Sequence, residues 1–74
     1  MRILAARPCE YDYKTGRAKA TGKPVDADTL AAIEQQGWEA VTRVEGEYNR
    51  IIWHSGWDAV PDEGQHYLAR VEEG

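Results

Sequence analysis

Three side chains in this sequence combine metal affinity with nucleophilic or acid–base chemistry: Cys9, His54 and His66. No pair of them has the close spacing by which zinc motifs place two ligands on one turn. A metal site would need all three to converge through the fold, with Asp58 as a fourth ligand. The plainer reading is a small buried cysteine and two strand-borne histidines. Nucleophilic catalysis would set Cys9, Ser55 or a threonine beside a base and an oxyanion donor. None of these stands in a nucleophile elbow or a glycine-rich frame. Thr15-Gly16-Arg17 and Thr21-Gly22-Lys23 read as turns, because neither has P-loop spacing. Asp62-Glu63 and Glu72-Glu73 read as a solvated loop and tail. Small domains seldom enclose a pocket in which reacting groups converge, so the sequence predicts no enzyme, no metal and no cofactor.

The charge distribution says more. Residues 1–24 hold six cations (Arg2, Arg7, Lys14, Arg17, Lys19 and Lys23) against Glu10 and Asp12, a balance of +4. Residues 25–74 hold Arg43, Arg50 and Arg70 against eleven acids, a balance of −8. That segregation predicts two surfaces of opposite sign unless the fold intermixes them. Arg7, Lys14, Arg17, Lys19 and Lys23 are interleaved with Tyr11 and Tyr13. Such a segment can touch phosphates while its tyrosines stack on bases, yet the chain as a whole carries −4, whereas nucleic-acid domains are usually basic overall. Direct nucleic-acid binding is therefore the second expectation and protein binding the first. Trp57 sits in a loop-like stretch, where an indole is commonly an interface anchor. The predicted partner-binding set is Arg7, Lys14, Arg17, Lys19, Lys23 and Trp57.

These groups must be held by a small scaffold. Val, Ile and Leu total only 12 of 74 residues and Phe is absent, so three Trp and four Tyr must supply much of the buried area. One small core results, in a single domain covering residues 1–74. The most legible stretch runs from Pro24 to Ser55. Asp26 is an N-cap, Val25 and Leu30 form a hydrophobic staple, and Ala27, Leu30, Ala31 and Ile33 form an apolar stripe. Glu34, Gln35 and Gln36 point to water, and Gly37 supplies a left-handed stop. About ten helical residues cannot hold together alone, so the helix must dock. Trp38, Ala40, Thr42 and Val44 then alternate with polar residues as one strand, and Arg50–Ser55 forms a more apolar return strand after Gly46–Asn49.

Elsewhere, Arg2–Arg7 reads as a first strand closed by Pro8. Cys9–Lys14 alternates, with Tyr11 and Tyr13 on one face. Residues 14–23 are compatible with a second hairpin, Ala18 and Ala20 on one face, or with a mobile basic loop. Gln65–Glu72 reads as a final strand with Tyr67, Ala69 and Val71 on one face. The expected fold is α+β: a four- or five-stranded, mostly antiparallel sheet with one short helix packed on one face. No apolar run approaches the roughly 18 residues of a membrane span, and no signal-peptide pattern opens the chain. The expectation is a cytoplasmic protein with no membrane partner.

Two resemblances bear on the helix and hairpin. The run "QQGWEAVTRV" within Leu30–Val44 resembles a short family of bacterial domains in which a helix ends in Gly-Trp-Glu and leads straight into a strand; it covers about a third of the chain and implies fold alone. The helix followed by Val41-Thr42-Arg43-Val44-Glu45 and a Trp-bearing return strand resembles small phage anti-CRISPR proteins. That likeness implies a phage or mobile-element inhibitor occluding a host protein or ribonucleoprotein complex that handles nucleic acid. Neither resemblance brings a functional residue with it. A homodimer, pairing edge strands or burying Trp57, is a further expectation.

Overall fold

In the computed structural model, which describes residues 2–55 and 64–72, helix α1 spans Ala27–Gln36. The Asp26 carboxylate accepts a hydrogen bond from the Thr29 amide at 2.8 Å, and that bond holds its carboxyl below the usual aspartate range. Val25 and Leu30 both pack against the main core, as a staple across the cap requires. At the other end the Gly37 N–H donates to the Ile33 carbonyl at 3.0 Å. Gly37 has φ 100° and ψ 153°. This is not the left-handed helical stop expected from sequence but an extended conformation of positive φ, open essentially to glycine.

The strands are β1 (Arg2–Asp12), β2 (Arg17–Ala20), β3 (Glu39–Arg43), β4 (Arg50–His54) and β5 (Gln65–Glu72). They form one sheet in the order β2-β1-β5-β4-β3, with every neighbouring pair antiparallel. The chain is thus an α+β protein in which α1 links the two edge strands, β2 and β3. No helix among the described residues is long and apolar enough to cross a membrane. β1 does not stop at Pro8. A proline removes one donor and no acceptor, and the Pro8 carbonyl accepts from the Thr21 amide at 2.9 Å. Within residues 14–23 a hydrogen-bonded turn leads into the return strand β2, so the hairpin alternative is the one the structure contains.

Two β-bulges decide which residues face which side. The β1–β5 register shifts between Ile3 and Ala5, so Leu4 is extruded and 42 % exposed while Ile3 and Ala6 are buried. The β3–β4 register shifts between Ala40 and Thr42. Ala40 lies opposite Ile52 on the helix side, whereas Thr42 lies opposite Ile51 on the other. The simple alternation expected for residues 38–44 is therefore broken at Val41, because an extra residue inverts facing.

The main core lies between helix and sheet and contains Ile3, Ala6, Ile33, Ile52, Tyr67, Ala69 and Val71, with Trp38 packed on it. Ile51 and Cys9, on the helix-free side, are as deeply buried as Ile52. The sheet itself curls over them. Strands two places apart in a flat sheet stand about 9.5 Å apart, yet β2 and β5 approach within 8 Å between Cα atoms. The curl brings Arg17 and Ala18 to one groove with Val44, Tyr48 and Leu68. Small side chains at Ala18 and Ala20 allow that approach.

Side chains tie the elements together. Glu34, expected to face water, turns back and accepts a hydrogen bond from the Ile3 amide, joining the helix to the start of β1. Asn49 accepts from the Val71 N–H and donates to the Val71 carbonyl, both at 2.9 Å, which locks the β3–β4 connection onto β5. His54 is buried on the helix side, with Nδ1 2.9 Å from the Gly37 carbonyl. A carbonyl can only accept, so Nδ1 carries the proton. Gly64 lies against the Trp53 indole: a Cβ there would fall 1.8 Å from Cζ2.

Candidate partner-binding site

The β1–β2 hairpin carries most of the predicted contact residues, and its turn is fixed by local bonds. The Gly16 N–H donates to the Asp12 carbonyl at 2.8 Å, and the Lys14 N–H donates to Asp12 Oδ1 at 2.9 Å. Gly16 takes φ 73°, the left-handed conformation that side chains disfavour. Asp12 thus holds the turn through both backbone and side chain, while Tyr13, Lys14 and Thr15 project from it. Tyr13 is 78 % exposed. No other large hydrophobic side chain among the described residues is as open to solvent.

The register changes the meaning of the basic run. Lys19 lies opposite Glu10, and Arg17 lies opposite Asp12. Opposed charges of unlike sign attract across a strand pair, so these two cations stand in register with the only acids in residues 1–24, though without a direct ion pair. Arg7 is half-buried, and its Nε–H donates to the Gly22 carbonyl at 2.9 Å; it braces the chain after β2. Lys14 and Lys23 are exposed, one at the hairpin tip and the other near its base. The five predicted cations therefore do not form one basic patch. Lys14, Arg17 and Lys19 share the hairpin, Arg7 is bonded to the Gly22 carbonyl, Lys23 stands apart, and Trp57 lies outside the described residues, as do Asp58, Asp62, Glu63 and Glu73.

Tyr11 and Tyr13 also part company. Tyr11 stays in β1, where its ring meets that of His66 at 5.4 Å between centroids, and His66 meets Trp53 at 4.7 Å. This row across β1, β5 and β4 spends the Tyr11 face on intramolecular contact. Tyr13 leaves the strand and is free. The sequence alternation had placed both tyrosines on one face. The useful signal was the Asp12 to Gly16 spacing, an Asx residue followed four positions later by a glycine able to close the turn.

Cys9 and His66 stand opposite each other in the β1–β5 register, but His54 occupies the other face. Among the described residues no three His, Cys, Asp or Glu side chains are grouped to hold a metal ion. Burial pushes the Cys9 thiol up to about 11 from 9.0, the opposite direction from an activated nucleophile. The folded state therefore favours the thiol over the thiolate. The stability this lends is complete below pH 9.0, declines as pH rises, and is gone once pH has passed about 11. At pH 8 the thiolate fraction of native Cys9 should be about a hundredfold below that of the unfolded chain. Alkylation by iodoacetamide, compared with and without denaturant, measures this; equal rates would show that the thiol is accessible and unperturbed.

Comparison with protein-family models, with curated proteins and with solved structures finds no match to this chain.

Proposed function

We propose that this chain is a non-enzymatic protein-binding module of the kind mobile-element inhibitors use to occlude host complexes, and that it grips its partner with the β1–β2 hairpin. The observation that carries the reading is Tyr13, 78 % exposed at the tip of a hydrogen-bonded turn. Tyrosine supplies a large amphipathic contact for the loss of few rotatable bonds, and a turn already fixed in place lowers the ordering cost of binding. Lys14 beside it adds a charge that steers association and makes it salt-sensitive. Nucleic-acid binding is supported less, because Arg17 and Lys19 face acids across the hairpin.

The test is affinity capture from a bacterial lysate with the wild-type chain and Tyr13→Ala, each at two salt concentrations. Tyr13 is 78 % exposed, so the substitution should leave thermal stability unchanged. A stoichiometric protein partner held by the wild type is expected to be weakened at least about thirtyfold by Tyr13→Ala, the effect of losing a hot-spot residue. Equal capture by both chains would remove the hairpin from the interface. Recovery abolished by nuclease would replace the protein-binding reading with the nucleic-acid one.

A further inference from the structure

At the C-terminus of α1, Gln36, Gly37, Trp38, Glu39, Trp53 and Ser55 line a cleft of about 370 Å³. Three features give it one electrostatic character. The helix ends there with no basic residue in its last turn, so the negative end of the helix dipole meets the cleft. Glu39 adds an exposed carboxylate. The half-buried Trp38 indole adds a ring whose face carries negative potential, while the Trp53 ring, already in contact with His66 and Gly64, forms the wall beside it. The lining also offers acceptors: the carboxylate of Glu39 and the side-chain oxygens of Gln36 and Ser55.

We infer that this cleft binds a guanidinium group, presented by an arginine side chain of the partner protein. A guanidinium is planar and stacks on an indole, carries five N–H donors and no acceptor, and pairs with a carboxylate through two parallel bonds. An ammonium has the charge but neither the plane nor the fork. The assignment rests on the protein-binding reading for the source of the arginine, while the affinity of the cleft itself can be measured without any partner. It also gives Glu39 a role separate from that of the hairpin: Tyr13 and Lys14 are offered to the partner, and the cleft receives a cation from it.

The experiment is a titration of the full chain with N-acetyl-arginine amide at constant ionic strength, following the indole N–H signals of Trp38 and Trp53 by ¹H–¹⁵N NMR. Both signals are expected to shift saturably. N-acetyl-lysine amide and tetramethylammonium should bind more weakly than the arginine amide. Glu39 is exposed in an edge strand, so Glu39→Gln keeps the fold and should weaken arginine binding about tenfold, the loss of one charge-assisted pair. Tyr13→Ala should leave the titration unchanged, so the cleft and the hairpin fail independently. Unmoved indole signals, tighter binding of tetramethylammonium, or equal affinity in Glu39→Gln would each overturn the guanidinium assignment.

Discussion

Ile33→Ala is expected to unfold most of the population at 25 °C. Ile33 is the one fully buried residue of α1, and it is the contact through which a helix too short to persist alone is held on the sheet. Truncating a buried isoleucine to alanine costs about 2–5 kcal/mol, combining lost transfer energy with the cavity left behind. A single core in a chain of this size rarely supplies more than about 3–5 kcal/mol. The loss is thus comparable to the whole stability. The void cannot close easily, because Asp26 caps the helix, Glu34 ties it to Ile3 and His54 holds its end. Far-ultraviolet circular dichroism and urea titration measure the effect; a midpoint within error of wild type would mean that the helix contributes little to the fold.

Ile51→Ala should destabilise in a different way. Its neighbour Ile52 belongs to the helix-side core, whereas Ile51 is buried on the opposite face, between Thr42 and Leu68 in the register. The same truncation again falls within about 2–5 kcal/mol. Here the lower part of that range is expected, because the curled β1–β2 hairpin carries alanines and can settle into the space. The damage should be local. Amide exchange should quicken in residues 9–20 before it does so in α1, and partner capture through Tyr13 should weaken while helicity persists. Equal exchange in both regions would show one cooperative core rather than two layers joined by β4.

The contrast between these two isoleucines marks the boundary between what was legible in the sequence and what was not. Signals acting over four or five residues were readable. Asp26 caps because its carboxylate reaches an amide three positions on, and Val25 and Leu30 on either side of that cap both pack on the core. Tyr67, Ala69 and Val71 share a face because strand side chains alternate. The continuous apolar pair Ile51-Ile52 marked a strand rich in apolar residues but not that both of its faces would be covered. Thr15-Gly16 marked a turn, and the alternation of Ala18 and Ala20 with Arg17 and Lys19 survived intact.

What the sequence by itself determined, then, was the local geometry: one capped helix, the positions of β3, β4 and β5 and the α+β class. Only the tertiary structure decided facing and pairing, because those depend on residues far apart in the chain. The bulges at Leu4 and Val41 arise from register against β5 and β4, and each reverses the side on which later residues lie. Lys19 stands opposite Glu10 and Arg17 opposite Asp12 only once β2 has folded back on β1. Tyr13 became a presenting residue and Tyr11 a packed one through a single position at the strand end. The cleft beside Trp38 and Trp53 likewise needed the helix end, β3 and β4 brought together, since its lining comes from stretches more than a dozen residues apart. Local sequence fixes backbone conformation through sterics and short-range hydrogen bonds; a binding surface is a sum over distant segments, and its charge and shape appear only when they meet.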